Sequence, residues 1–451
     1  MRSWIEEEMG HVNLGDKRLN ERLKVILEDI SQSPCSSIPE ACGSKATTKA
    51  AYRFFDSGRI DAEDIQEGFF ISTARRTSSL SRVIVAQDTT DLDFSSHKKA
   101  KGIGYLDNKL TFGLKLHSAL AIRADGVPLG LLYQKFWARD MKEYGKRTSR
   151  KAKSIDEKES YRWLEAVESI EEHIEGPRQV ITVADRESDI YDLFAKERRS
   201  GYELLIRAAH NRATIQGRHL FETVSSLPVR GSFNLDLTRA RDRKTRQVPL
   251  AVRFGEVTIK PPKHRRKEHL PGVKLHAILV KEIDASEPIS WLLLTTLCVE
   301  TLEDAIESTR LYSLRWLIER YHYTLKSGCQ VEELQLEDAE RIKRAVALYC
   351  IAAWRILFLT YLARTEPDQS SERVFEKHEW QALCCFVNKT DRPPESAPTL
   401  AEAVLLIAKL GGFLGRRQDG DPGVKVLWRG MKRLNDISQA YLIFNRDVGN
   451  E

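Results

Sequence analysis

The chain has 451 residues, with 71 Lys and Arg against 65 Asp and Glu, a net charge of +6. At 41% hydrophobic and 30% charged residues, it can bury enough core for two or three domains, and it is not a disordered, fibrous or disulfide-built chain. Its seven cysteines are odd in number and include no C-x-x-C pair, which argues against a disulfide framework and a zinc site. We therefore expect a reduced, cytoplasmic protein.

Neither export nor a membrane span is predicted. The N-terminus, MRSWIEEE, has acids where a signal peptide needs a basic and then an apolar region. The long apolar run at 346–363 has Arg355 in its middle. An arginine at a bilayer centre costs roughly 2.5–3.5 kcal/mol on the insertion scale, so we interpret this run as a buried helix.

The positive charge is concentrated in one stretch. Residues 239–268 hold eleven Lys and Arg against three acids. Such segregation fits a surface that grips a polyanion, although solvated loops give the same pattern. Charge alone leaves both interpretations open.

Residues 1–76 are predicted to form a small helical unit. Leu19, Leu23 and Ile26 fall on one stripe at helical spacing, and two further helices follow. Several lysines and arginines face outwards from these helices. The pattern suits a DNA-binding head, and a plain helical docking domain predicts it equally well.

After Ser81 the periodicity becomes strand-like. Residues 82–87 form a short apolar run, two more strands are joined by a hairpin at Asp125-Gly126, and the strands at 179–184 and 202–207 alternate with helices. This order predicts an α/β fold with a mixed sheet. Residues 218–299 look like an all-β insert, a long helix begins near Leu302, and a helical tail follows a linker near 365–371.

Two aspartates follow the apolar strands directly. Asp88 comes after the first and Asp185 after the strand at 179–184. Ligands in open α/β sheets gather at the carboxyl ends of strands, so the two could lie side by side. Each alone is weak, because an aspartate after a strand is also a common turn or cap residue.

The helix beginning near Leu302 carries a polar arc. At 100° per residue, Tyr312, Arg315, Glu319 and Lys326 share about 60° of its circumference, beside an apolar stripe. The arc is either part of a site or a salt-bridged surface in which Glu319 pairs with Arg315. In the first case, three carboxylates would suit two Mg²⁺ ions, and Tyr312, Arg315 and Lys326 would hold a phosphate.

The pattern Tyr312-x2-Arg315-x3-Glu319-x6-Lys326 resembles the YREK signature of DDE-type bacterial insertion-sequence transposases. Within that family the chain is most similar to hairpin-forming, cut-and-paste transposases of composite resistance transposons. Further matches occur in order along nearly the whole chain, including Leu14-Gly-Asp, Asp88-Thr-Thr, Asp185-Arg-Glu-Ser-Asp and Leu410-Gly-Gly-Phe.

The resemblance implies an RNase H-like mixed-sheet core at 77–372 interrupted by the β insert at about 218–299, a DNA-end-binding helical domain at 1–76 and a helical dimerisation domain at 373–451. It implies a nucleoid-associated bacterial enzyme that binds double-stranded DNA at terminal inverted repeats and at a target. Two copies would pair the ends as a homodimer and act in trans.

The resemblance also implies roles for individual residues. Asp88, Asp185 and Glu319 match the catalytic triad that holds two Mg²⁺ ions, for which Mn²⁺ substitutes. Tyr312, Arg315 and Lys326 match residues that grip phosphate, Trp291 matches an aromatic that stacks on a flipped base, and Arg207 matches a DNA contact. His322, next to the arc, is expected to have a structural or phosphate-contacting role. Tyr323 stands where the family has a lysine, so one DNA contact is in doubt.

Two other functions compete with transposition. One is an RNase H-fold nuclease that cuts DNA without strand transfer. The other is a DNA-binding regulator that has the fold and does no chemistry. A regulator has no use for a metal triad, so intact Asp88, Asp185 and Glu319 argue against it.

Overall fold

The computed structural model describes residues 4–97, 99–145, 153–176, 178–238, 245–284, 286, 288–416 and 419–445. Five helices form its N-terminal part. The Asp16 and Ser44 side chains cap α2 and α4 by accepting backbone N–H bonds. Leu23, Ile26 and Phe69 are among the fully or almost fully buried side chains. The bounds are α1 (Trp4–Met9), α2 (Lys17–Gln32), α3 (Ile38–Cys42), α4 (Lys45–Phe55) and α5 (Ala62–Thr77).

A ten-stranded mixed sheet forms the centre. Its order is β2-β3-β1-β5-β6-β10-β9-β8-β7, with β4 paired to β3. The first six strands are β1 (Arg82–Asp93), β2 (Gly104–Tyr105), β3 (Phe112–Arg123), β4 (Pro128–Trp137), β5 (Gln179–Ala184) and β6 (Tyr202–Arg207). Helix α6 (Arg162–His173) connects β4 to β5, and the short α7 (Tyr191–Ala195) connects β5 to β6. The mixed α/β, RNase H-like class predicted from the sequence is confirmed.

Strand β1 extends beyond the predicted end. It pairs in parallel with β5 from Arg82 to Gln87, and antiparallel with β3 from Val83 to Asp93. The apolar run predicted that the strand ends just before Asp88. In the structure, Asp88 lies inside β1. The run ends because β5 ends, while β3 keeps the strand extended and supplies the hydrogen bonds.

The strands of the insert continue the same sheet. They are β7 (Gly231–Thr238), β8 (Thr245–Ile259), β9 (Val273–Glu282) and β10 (Ser290–Thr295), and β10 pairs antiparallel with β6. The segment also contains a short helix, α8 (Leu220–Ser225). The insert thus lies beside the core strands as an extension of their sheet.

The predicted long helix after Leu302 is interrupted. Helix α9 (Leu302–Ser313) ends in a tight turn, and α10 (Trp316–Tyr323) begins after Arg315. A π-helical turn then spans Thr324–Gly328. A uniform 100° step does not describe such a segment, because each change of helix type rotates the residues that follow.

Helix α11 (Ala339–Thr365) runs through the core. It is long and apolar enough to cross a membrane, and 89% of its most apolar window is buried inside the protein. Arg355 is buried with its guanidinium 4.1 Å from the centroid of the Trp4 ring. Buried Arg344 donates to the carbonyl oxygens of Ile60 at 2.7 Å and Phe55 at 2.9 Å, and so fastens the N-terminal helices to α11.

Three helices follow α11: α12 (Lys377–Asn388), α13 (Leu400–Leu410) and α14 (Val424–Phe444). Helices α13 and α14 approach so closely that a Cβ on Gly411 or Gly430 would overlap backbone oxygens of the other helix. At the end of α14, Leu442, Ile443 and Phe444 are 40%, 60% and 83% exposed.

Candidate functional site

Asp88 and Asp185 both lie one residue past the last paired residues of two neighbouring parallel strands, Gln87 and Ala184. Each carboxylate is oriented by a backbone N–H. Thr89 donates to Asp88 at 2.9 Å, and Glu187 donates to Asp185 at 2.9 Å. The sheet therefore brings these two predicted residues to the same edge.

Arg315 and Glu319 lie against this edge and form an ion pair. The Arg315 side chain is 16% exposed and that of Glu319 is 55% exposed. This is the pairing that the sequence left open as an alternative to a site. The structure combines both interpretations, because the charges of Arg315 and Glu319 also act on Asp88.

The surroundings raise the pKa of Asp88 from its usual 3.8 to about 7. Burial is the largest cause, and the negative charges of Asp185 and Glu319 add to it, against the attraction of Arg315 and the bond from Thr89. Burial and the charges of Asp185 and Glu319 thus disfavour the ionised form of Asp88, and a divalent cation at this edge would favour it.

The donor types fit a hard divalent cation, since Mg²⁺ prefers carboxylate oxygens. Among the residues that the structure describes, however, no three or more His, Cys, Asp or Glu side chains gather as a ligand group. Glu319 is held by Arg315. A metal centre here requires Glu319 to leave Arg315.

A second cluster adjoins Arg315. The buried Tyr312 ring meets Trp291 edge to face, with centroids 5.4 Å apart. Burial raises the pKa of Tyr312, although the positive charges of Arg315 and Arg207 oppose the shift. Arg207, on β6, also donates to the Ser290 carbonyl at 3.2 Å. Trp291, Tyr312, Arg315 and Arg207 therefore form one aromatic and cationic surface next to the carboxylates.

Lys326 lies apart from that cluster. Its ammonium donates to the Asp91 carbonyl at 2.7 Å and pairs with Glu332 at 3.0 Å. Lys326 lies within the π-helical turn that follows α10. The structure thus joins Tyr312, Arg315 and Glu319 and leaves Lys326 a few residues along β1.

His322 is buried, only 5% exposed, beneath Asp88. Its Nδ1 lies 3.8 Å from the Asp88 carboxylate, and its Nε2 is 3.4 Å from the Ser118 hydroxyl. Burial lowers the pKa of His322 to about 3, so the ring is neutral. Of the two roles that the sequence left open, burial favours the structural one over contact with DNA. Tyr323 is 39% exposed and packs on Trp428.

Sequence reasoning missed Arg162. Its guanidinium donates to Thr89 at 2.9 Å, to the Glu159 carbonyl at 2.9 Å and to Glu187 at 2.8 Å. It is the first residue of α6 and stands at no marked spacing from either aspartate, so nothing local in the sequence distinguishes it. Of the basic stretch at 239–268, the structure describes residues 245–268, and residues 239–244 lie outside the described residues.

An RNase H-like sheet that places two aspartates directly after the last paired positions of adjacent parallel strands, with a glutamate and an arginine on the helix against them, is the arrangement expected of a DDE-type phosphoryl-transfer enzyme. Comparison with protein families narrows this class. The chain matches a transposase DNA-binding domain at residues 1–60, a transposase DDE domain at 146–355 and a transposase Tn5 dimerisation domain at 351–442.

The chain therefore contains the DNA-binding, DDE and dimerisation domains of transposases. The DDE match includes Asp185 and Glu319 and begins after Asp88, so the place of Asp88 rests on the sheet itself. Among solved structures, the chain is similar to the piggyBac transposase in a synaptic complex with hairpin DNA. That likeness has 8% identity and a TM-score of 0.35, and it covers 86% of this chain and 59% of the other.

Proposed function

We propose that this protein is a DNA transposase that binds the terminal inverted repeats of a mobile element, pairs two ends as a homodimer and moves the element by cut-and-paste transposition. One observation carries this proposal. The pairing between β1 and β5 stops directly before Asp88 and Asp185, so both aspartates lie at the same edge, and Arg315 and Glu319 lie against them. Cleavage and strand transfer would both occur there, in the bacterial cytoplasm.

The three carboxylates of Asp88, Asp185 and Glu319 are proposed to hold two Mg²⁺ ions, with Mn²⁺ as a substitute. Bound there, the ions would activate the attacking oxygen and stabilise the leaving one. Arg315 would exchange Glu319 for a phosphate oxygen, because its planar guanidinium suits an anionic oxygen pair equally well. Glu319 is the more exposed member of that pair, so its side chain has room to turn once a phosphate replaces it at Arg315.

Excision through a hairpin intermediate is proposed for the second step. A hairpin reverses the strand tightly, and an unstacked base relieves the strain. Trp291 is half-buried against Tyr312 and still partly open, so it can receive a base, while Arg207 and Arg315 carry the charge to fix the neighbouring phosphates. Lys326 would act further along the same strand.

The homodimer is supported by the C-terminal surface. Leu442, Ile443 and Phe444 are exposed apolar side chains at the end of α14, where the dimerisation match stops at residue 442. Contiguous exposed apolar residues mark interaction sites. A second copy of the chain is the partner that the dimerisation match favours.

The experiment is a time course on labelled DNA carrying the element's ends, resolving nicked, hairpin and flush-cut products. With Mg²⁺ or Mn²⁺ the protein should cut, and with Ca²⁺ it should bind with little cleavage. Alanine at Asp88, Asp185 or Glu319 should each abolish cleavage while end binding is retained, because the carboxylates serve the metals.

The assay also separates the competing functions. Products that are cut but never joined to a target would identify a nuclease without strand transfer. Binding without any cutting would identify a regulator. Strong cleavage in excess chelator would exclude the two-metal site.

A further inference from the structure

The sheet leaves Asp88 and Asp185 without a direct hydrogen-bonded link. Pairing between β1 and β5 ends at Gln87 and Ala184, one residue before both aspartates. From there β1 continues with β3, while the chain after β5 turns into a short 3-10 helix. Two metal-binding carboxylates must be held within a fraction of an ångström to bind well. Some other group has to set their separation.

Arg162 spans this gap from the first residue of α6. Its Nε donates to the Thr89 hydroxyl, and one terminal nitrogen donates to the Glu187 carboxylate. Thr89 and Glu187 are the two residues whose backbone N–H groups orient Asp88 and Asp185. One guanidinium therefore ties together the supports of both carboxylates.

The bridge is rigid on the β1 side. Arg162 donates to the Thr89 hydroxyl, and His117 Nδ1 lies 2.9 Å from the same oxygen. Because Gln87 Oε1 can only accept, the neutral His117 ring carries its proton on Nε2, so Nδ1 accepts the proton of the Thr89 hydroxyl. The opposite nitrogen of that buried ring then donates to Gln87 at 3.3 Å. Hydrogen bonds thus run from Arg162 to Thr89, from Thr89 to His117 and from His117 to Gln87. They hold Gln87 and Thr89, the two residues on either side of Asp88.

Packing leaves the Arg162 guanidinium little freedom. It lies 5.1 Å from the Trp163 ring centroid and 5.7 Å from that of Trp137. Its side chain is 10% exposed, and its third bond goes to the Glu159 carbonyl. A lysine could not reproduce three bonds in one plane.

We propose that Arg162 is a positioning residue that sets the separation of the Asp88 and Asp185 carboxylates, and thereby the affinity of this edge for a divalent cation. The proposal rests on the proposed metal-dependent function. It assigns Arg162 no contact with DNA or with the reacting atoms.

The test measures Mn²⁺ binding to the full-length protein by electron paramagnetic resonance of the free ion. Arg162→Gln should weaken binding about 10–100-fold, as is typical when a group supporting metal ligands is lost. Arg139→Gln is the matched control. Arg139 bonds Glu159 at 3.0 Å and the Leu106 carbonyl at 2.8 Å, and touches neither aspartate's support. It should bind Mn²⁺ as the wild type does.

Two further variants keep the test decisive if Arg162→Gln misfolds. The Glu187 side chain is 65% exposed, so Glu187→Ala removes the acceptor of one arm of the bridge without leaving a buried cavity, and the Glu187 backbone N–H still bonds Asp185. Thr89→Val removes the other arm, and Thr89→Ser should restore it. Both arm-removing variants should raise the Mn²⁺ concentration for half-maximal end cleavage, with the rate recovering at saturating metal and end binding in Ca²⁺ unchanged.

The outcomes separate this proposal from the proposed function. Wild-type affinity in Arg162→Gln, or an equal loss in Arg139→Gln, overturns the positioning role. If the wild type itself binds no Mn²⁺ and Asp88→Ala behaves identically, the metal site fails, and the positioning role fails with it.

Discussion

Asp88→Asn should stabilise the metal-free protein, and the gain should depend on pH. The pKa of Asp88 in the folded protein is about 7, against a usual value of 3.8. The difference, about three pKa units at ~1.36 kcal/mol each, sets an upper limit of about 4 kcal/mol. The folded value already includes the attraction to Arg315, so no separate allowance is needed for that pair.

The sign follows from which state binds the proton more tightly. Between pH 4 and 7 the unfolded carboxyl has lost its proton, whereas the folded one retains it. The stability of the wild type therefore falls across this window. An asparagine does not titrate, and its amide oxygen can still accept from the Thr89 N–H. The gain should be near zero at pH 4 and approach about 4 kcal/mol above pH 7.

Urea unfolding at pH 5 and pH 8, in chelator, measures this difference directly. Adding Mg²⁺ at pH 8 should reverse it, because a cation stabilises the charged carboxylate in the wild type and gains less from the amide. An equal effect at both pH values would show that Asp88 is not held against its charge, and the repulsion argument for the site would fall.

Three other outcomes are expected. Trp291→Ala should spare the first nick and slow hairpin formation, since base stacking worth roughly 1–3 kcal/mol is lost, and Trp291→Phe should restore most of it in the product time course. Arg344→Ala should lower the free energy of unfolding by about 3 kcal/mol, because two buried carbonyls of the N-terminal helices lose a charged donor; Arg344→Lys, which can still donate to one carbonyl, should lose less in the same urea titration. Lys49→Ala, in the N-terminal helices, should lower the slope of the logarithm of the end-binding constant against the logarithm of the salt concentration by about one. The control variant Lys425→Ala, at an exposed position on α14, should leave this slope unchanged. Equal effects of the two variants would contradict the assignment of end recognition to residues 1–76.

Local patterns predicted the elements that are held by local or adjacent contacts. The strands at 82–87, 179–184 and 202–207, and the hairpin at Asp125-Gly126, follow from apolar runs and turn residues, and the structure has them. Gly126 has a φ of +96° in that turn, a conformation that favours glycine. The order of these elements was enough for the α/β class.

Features set by distant partners were not predictable in the same way. No pattern in the sequence states that β10 pairs with β6, or that β3 carries β1 past Asp88. The 100° spacing placed Arg315 beside Glu319, and the structure pairs them. Lys326 lies inside the π-helical turn, where that spacing does not apply, and it bonds Asp91 and Glu332 instead. The assignment of Asp88, Asp185 and Glu319 to metal stays a prediction.

Because the insert and the core share one sheet, the strands of the insert differ in how much their sequence can change. Strands next to the core are constrained, and strands at the far edge are not. Strand β10 carries Trp291 beside the core strand β6, whereas β7 and β8 lie at the far edge. The outer hairpin can lengthen, shorten or exchange its charges and leave the chemistry intact. A one-residue slip of β10 would turn Trp291 to the opposite face. Related enzymes should therefore diverge most at β7 and β8, and that hairpin is where a designer should graft a new targeting module.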